Sequence, residues 1–301
     1  HLAAAAQLWG RRDFFNADDH ARGGLAIWEA RRADHPLFLW MHFLDCHFPY
    51  RRASEVGEVS WARRMTLERG DAHLFRADPW WAEAEGRAAL GSAYRAEIAA
   101  VDRAILGFLE ALGPPTDRGR IVVLFSDHGE EFFEHGGIEH GHALWQELLA
   151  VPLVIVGLPG RAAGSVEEEV VGHSDLAPTL LAAAGIPLPQ PEDAASRLIG
   201  RDLAQFPLAP MPLVSENLLR SLQPWDSEWA VRIGDLKAIF GPTGNAVFDL
   251  SADPAERQNR AVEFAEFLKG ILARPARIPR TGAGSGAAAQ RAMQRIGYVG
   301  F

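Results

Sequence analysis

The sequence predicts an α/β chain: a wound mixed, mostly parallel sheet flanked by helices, followed by a small C-terminal antiparallel sheet with a helix. Three observations predict it. Leu37–Phe43, Ile121–Phe125 and Pro152–Val156 are continuous apolar runs of strand length, the pattern of strands buried on both faces. Amphipathic helical stretches alternate with them, as in wound α/β sheets. After about residue 205 the pattern changes to short segments divided by Gly- and Pro-rich turns. The expected units are an α/β domain over 1–205, a small antiparallel sheet plus helix over 206–275, and a linker and tail over 276–301.

The elements follow in order. Residues 1–35 read as polar helix and loop, with Leu25, Ile27 and Trp28 as a helical face. The first strand covers Leu37–Phe43. Residues 51–90 read as an irregular, charged loop around Pro79-Trp80-Trp81, long enough to serve as a lid or specificity loop. The two tryptophans suit either stacking on a sugar or aryl ring or a packed anchor. Ser92 is placed to cap a helix running to Leu112, with Ile98, Val101, Ile105, Phe108, Leu109 and Leu112 on one face. Gly113-Pro114-Pro115 stops it. Ile121–Phe125 and Pro152–Val156 are the next strands, and Ser174 precedes a helix from Asp175 to Ala184 closed by Gly185. Trp229–Ile233, Leu236–Phe240 and Ala246–Leu250, separated by turn residues, form an antiparallel meander. A helix carrying Val262, Phe264, Phe267, Leu268, Ile271 and Leu272 follows, and Thr281–Gly286 reads as a flexible linker.

Composition narrows the function classes. A chain of 301 residues, 48% apolar, can bury a sizeable core without covalent staples. Cys46 is its sole cysteine, so no disulfide forms within it. Lys+Arg 30 against Asp+Glu 39 gives a formal charge of −9, which argues against a nucleic-acid partner. No apolar run approaches the ~20 residues of a transmembrane helix. The first residue is His1 rather than Met, which fits a processed or cut end. The sequence sets no oligomeric state.

Chemistry concentrates in one window. Spread evenly, 11 histidines would put roughly half of one in fifteen residues, yet 128–142 holds His128, His135, His140 and His142. Asp127, Glu130, Glu131, Glu134 and Glu139 accompany them. The cluster starts where the strand Ile121–Phe125 ends, the edge at which open α/β sheets bind ligands. A carboxylate beside an imidazole on a tight Gly129 turn suits one divalent cation: Ca, Mg, Mn or Zn. The HExxH and HxxEH zinc-protease spacings are absent. His47, in Asp45-Cys46-His47-Phe48-Pro49-Tyr50 after the first strand, is a second candidate. Cys46 has no visible thiolate-stabilising context and reads as buried. His173, Asp175 and Lys237 read as structural, Asp175 through the dipole at a helix start.

Taken together the segments resemble the sulfatase family of the alkaline-phosphatase-like hydrolases. Leu37 to Tyr50 is similar to its strand ending in Asp-Pro-His-x-Pro-Tyr, with Cys46 where proline is usual. Tyr94 to Asp102 resembles Tyr-x-x-Glu-Ile-x-x-Val-Asp. Ser126-Asp127-His128-Gly129-Glu130-Glu131-Phe132, then His140-Gly141-His142-Ala143-Leu144-Trp145 and Val151-Pro152-Leu153, is the most specific match. Asp175 to Leu181, Phe248-Asp249-Leu250 with Asp253-Pro254, and Ile296-Gly297-Tyr298 continue it.

The resemblance implies a role for each matched residue. Asp127 and His128 fall on positions that supply half of a metal shell, with calcium the first expectation. His47 matches a histidine that contacts the transferred group and helps the leaving oxygen. His140 matches a position holding substrate oxygens, with His142 as the alternative register. The implied substrate is a small-molecule or glycan sulfate ester, and the implied setting leans to the periplasm or the extracellular space.

One departure stands out. The family's Cys/Ser-x-Pro-x-Arg segment, whose Cys or Ser becomes formylglycine, is absent from these 301 residues. Asp18-Asp19 lies in what resembles the helix preceding the Asp-Pro-His strand rather than at a metal position. The expectation is therefore the C-terminal portion of a longer sulfatase, catalytically inactive alone, with formylglycine belonging to the full-length parent. Two alternatives remain. One is a phosphoesterase, phosphonate hydrolase or phosphoethanolamine transferase of the same superfamily, and the other a non-catalytic binding protein that has kept the fold.

Overall fold

A computed structural model describes residues 16–32, 34–52, 59–70, 72–114, 119–188, 200–205, 207–208, 211–217, 228–241 and 244–273. The expected linker at Thr281–Gly286, the tail and the Ile296-Gly297-Tyr298 match lie outside them. The chain divides into two compact units, residues 1–120 with 131–139, and residues 121–130 with 140–301.

The first unit is mainly helical. Helix α1 (Ala17–Ala30) starts at a reciprocal cap: Asp19 N–H donates to the Asn16 side chain at 3.0 Å, and Asn16 N–H donates to the Asp19 carboxylate at 3.3 Å. That gives Asp19 a helix-starting role. The region expected as irregular loop instead forms α2 (Trp61–Arg69), α3 (Ala72–Ala77) and a 3-10 turn (Pro79–Ala82). Charge on the outward faces hid short helices whose inward residues Leu67, Phe75 and Trp81 are buried with Phe48, Tyr50 and Leu90. Trp81 is thus a core anchor.

Helix α4 (Ala84–Leu112) begins eight residues before the expected cap. Ser92 sits inside it, its hydroxyl donating to Ala88 O at 2.8 Å, so the residue that looked like a cap bonds back into the helix. Gly113 ends the helix at φ 66, as expected. The hairpin of β2 (Glu131–Phe132) and β3 (Ile138–Glu139) completes the unit, Phe132 meeting Tyr94 of α4.

Residues 37–43 do not form a ladder strand among the described residues. They still alternate as a strand does, with Leu37, Leu39, Met41 and Phe43 half-buried while Phe38 and Trp40 are 57% and 60% exposed.

In the second unit β1 (Val122–Phe125) pairs with β4 (Leu153–Val156) in an antiparallel register that sets Val122 against Val156 and Phe125 against Leu153. All ladders among the described residues are antiparallel, so the mostly parallel sheet expected from the apolar runs is not among them. Apolar runs carry no strand direction, and among the described residues these two strands are not buried on both faces as expected. Here Leu153 and Ile155 face a cluster with Leu158 and Leu203, while Leu124, Val154 and Val156 are exposed.

Helix α5 (Gln146–Leu149) follows β3 in the chain, and α6 (Leu176–Ala183) follows a 3-10 turn at His173–Asp175. The expected meander is present as β6 (Trp229–Ile233), β7 (Leu236–Gly241) and β8 (Gly244–Asp249). An unanticipated strand, β5 (Leu213–Glu216), extends the sheet to order β5-β6-β7-β8. Helix α7 (Ala265–Ala273), shorter than the apolar stretch suggested, packs Phe267, Leu268 and Ile271 over Ala238, Phe240 and Val247.

Candidate metal and oxyanion site

The site is built where β1 ends. Gly129 N–H donates to Leu148 O of α5 at 2.8 Å. A Cβ at Gly129 would lie 1.9 Å from Glu147 O, so only glycine permits this approach. The turn between Phe125 and Gly129 is thereby pinned, and it carries Asp127 and His128 outward. Ser126 Oγ donates to His128 O at 2.6 Å.

Asp127 Oδ2 lies 3.8 Å from His128 Nε2, with the Asp127 side chain 57% exposed. His128 Nδ1 lies 2.8 Å from Gly129 O. A carbonyl only accepts, so Nδ1 carries the proton and Nε2 of the neutral ring keeps its lone pair. His140 is the neighbour, its ring 4.0 Å from that of His128 between centroids. The His140 Nδ1 is 3.0 Å from Oε1 of Glu130, whose side chain is 4% exposed.

The structure thus brings Asp127, His128 and His140 together. His142 is half-buried beyond Gly141, which has φ 82. His47 belongs to the first unit, where it is half-buried with Nδ1 2.6 Å from Phe48 O, the same tautomer-setting arrangement as in His128. Glu130, one of the acidic neighbours, gains a definite place as the buried partner of His140. His173, read as structural, reaches the same turn: its Nε2 is 2.8 Å from Ser126 O. No spacing rule links positions 47 residues apart, so only packing reveals this contact.

Two donors suit a divalent cation. With metal–ligand distances of about 2.0–2.4 Å, adjacent ligands lie roughly 3–3.8 Å apart, and the Asp127–His128 separation falls at the upper end of that window. The backbone carbonyl on the far ring nitrogen of His128 is the outer-shell support that metal-binding histidines use. Among the described residues no group of three or more His, Cys, Asp or Glu side chains is arranged to hold an ion.

The sulfatase family model matches residues 16–186. The chain belongs to the sulfatase family. It is 34% identical over 167 residues to human arylsulfatase K, an alignment covering 50% of this chain and 29% of that protein. The chain therefore spans under a third of that relative's length. Two solved structures share the alkaline-phosphatase-like fold. One was determined in complex with its substrate D-glucosamine-2-N,6-O-disulfate (TM-score 0.62, 18% identity, covering 86% of this chain and 68% of that one). The other is the phosphonate monoester hydrolase of Agrobacterium radiobacter (TM-score 0.61, 20% identity, covering 86% and 60%). No helix among the described residues is long and apolar enough to cross a membrane.

Proposed function

We propose that this chain carries part of the active site of a metal-dependent sulfuric ester hydrolase acting on a small-molecule or glycan sulfate ester. The observation that carries the reading is the Asp127 carboxylate 3.8 Å from His128 Nε2, with the far nitrogen of that ring against a backbone carbonyl. Asp127 and His128 would hold a divalent cation, calcium first and Mg, Mn or Zn as alternatives. Such a cation, when bound, supplies positive charge to offset that on the sulfuryl oxygens.

His140, its Nδ1–H on the Glu130 carboxylate, would in its imidazolium form offer Nε2–H to a substrate oxygen in the proposed reaction. His142 is the alternative for that task. His47, its Nδ1–H on Phe48 O, would in its imidazolium form give the Nε2 proton to the leaving oxygen as the S–O bond breaks. The β1–β4 ladder would belong to a larger, mostly parallel wound sheet of the full-length parent.

The nucleophile is expected from a formylglycine of that parent. Within this chain Cys46 is followed by His47 and Phe48, with Pro49 three places on. Residues 1–301 alone are therefore expected to leave an aryl sulfate intact while binding Mn²⁺ or Ca²⁺ weakly, with binding lost in Asp127→Ala and His128→Ala. Turnover by the purified chain refutes the inactivity, and unchanged binding in both variants refutes the metal assignment. The fold shared with a phosphonate monoester hydrolase supports a second reading, phosphoryl or phosphonyl esters as substrate. Competition between sulfate and phenylphosphonate for the metal-loaded chain separates the two.

A further inference from the structure

Both peptide planes flanking the ligand pair are held. The Ser126–Asp127 peptide is gripped through its carbonyl, 2.8 Å from His173 Nε2. The His128–Gly129 peptide is gripped at both ends, its carbonyl accepting from Ser126 Oγ at 2.6 Å and its N–H donating to Leu148 O at 2.8 Å. Two pinned planes on either side of Asp127 and His128 leave little freedom for the carboxylate and imidazole to swing apart.

His173 is itself anchored by buried charge. Asp175 is fully buried and accepts from Gly172 N at 3.0 Å, from Arg201 N at 2.7 Å and from the Arg201 guanidinium at 2.8 Å. Arg201 also donates to Val170 O at 2.9 Å. Gly200 backs the same turn so closely that a Cβ there would lie 2.1 Å from Ser174 O. The 172–175 turn is therefore fixed on two sides, and the His173 ring extends from it, tilted against Phe125 with centroids 5.6 Å apart.

We infer that His173 is a positioning residue: its ring N–H, held by the Asp175–Arg201 turn, clamps the Ser126 carbonyl and so aims Asp127 and His128 at a common cation. The inference rests on the metal reading of that pair. Outer-shell partners of metal ligands typically contribute 10–100-fold in metal affinity, and a partly exposed clamp belongs at the lower end.

The test uses the full chain with Mn²⁺ as probe, following paramagnetic broadening of the histidine ring protons and amide exchange of the metal-free protein. His173→Ala is expected to need about tenfold more Mn²⁺ for half-broadening of the His128 signal and to exchange its Asp127 and Gly129 amides faster. His173→Gln, which keeps an N–H donor, should recover most of both. The imidazole's exposed position predicts a thermal midpoint close to wild type in both variants, so loss of fold is visible separately. Wild-type broadening and exchange in His173→Ala overturn the clamp and leave the metal reading intact. Unbroadened His128 in the wild type overturns the metal reading and, with it, the proposed purpose of the clamp.

Discussion

Replacing Gly129 by alanine tests the backbone that aims the proposed ligand pair. The added Cβ would start 1.9 Å from Glu147 O, 2.9 Å from Glu147 C and 3.2 Å from Leu148 Cα. Reaching an ordinary C···O spacing of about 3.3 Å requires a backbone shift of roughly 1.4 Å. That shift breaks the Gly129–Leu148 hydrogen bond, a loss of about 1 kcal/mol, and adds overpacking of about 1–3 kcal/mol. The sum, roughly 2–4 kcal/mol, is a large share of a stability of about 5–15 kcal/mol. With a urea slope of about 2–3 kcal/mol/M, the midpoint should fall by about 1 M. Mn²⁺ binding should weaken in parallel, because the shift moves the turn that carries Asp127 and His128. Gly107→Ala is the control: its Cβ meets nothing within 4 Å inside α4, so it should stabilise by about 0.5–1 kcal/mol. A Gly129→Ala chain that keeps both its urea midpoint and its Mn²⁺ affinity would sink the claim that this approach fixes the site.

Three further perturbations probe the supports. Lys237→Met should destabilise by about 3–5 kcal/mol, because it strands the Glu256 carboxylate that lies 2.7 Å from Lys237 Nζ in a fully buried pair. Adding Glu256→Gln should restore most of the loss in urea titrations. Burial pushes the Lys237 ammonium below its usual value of 10.5, against the pull of Glu256. The unfolded chain then binds more protons, so the wild type should gain stability as pH rises from the folded pKa to about 10.5, a limb absent in Lys237→Met. For Asp175, burial opposes the charge, but the Arg201 side chain and the Gly172 and Arg201 backbone N–H groups hold its carboxyl below 3.8. Its stabilisation is full above about pH 3.8 and is lost as pH falls through the lower folded value, so Asp175→Asn should be weaker at pH 7 with a shallower acid limb. Trp81→Ala should cost about 3–5 kcal/mol through the core cavity it leaves, whereas Trp80→Ala, which removes a half-buried ring from the edge of the same cluster and from under the Arg63 guanidinium, should cost less in the same melts.

Legibility in the sequence followed the range over which each feature is encoded. Ile121–Phe125 and Pro152–Val156 were readable because all-apolar runs of that length leave few options, and Gly113 because a helix end at φ 66 selects glycine. The Asp127-His128-Gly129 turn was readable because its donors and its obligatory glycine are contiguous. The helices within 51–90 were not, since charged faces of short helices and charged loops have similar composition. Strand β5 was missed because four residues, Leu213–Glu216, carry too short an alternation to register. Strand direction was not readable either, because β1 and β4 would show the same apolar letters in either pairing sense. His173 contacts Ser126 across 47 positions, a relation that only the folded chain expresses.

The motif at the end of β1 joins two demands that pull in opposite directions. In the proposed site, a pair that takes up a cation from water has to be accessible, and Asp127 is. An accessible pair on a short turn would wander, so its geometry has to be borrowed from buried structure. The lenders are different parts of the unit: Leu148 through the Gly129 amide, Glu130 through His140, and the buried Asp175–Arg201 pair through His173. Each acts on a different neighbour of the pair, so losing one should loosen the site without unmaking it. Ser126 receives the last of these lines at its carbonyl, tied to His173, and its hydroxyl adds a bond within the turn to His128 O. Its hydroxyl makes that second bond across the turn itself, closing Ser126 onto His128 at 2.6 Å.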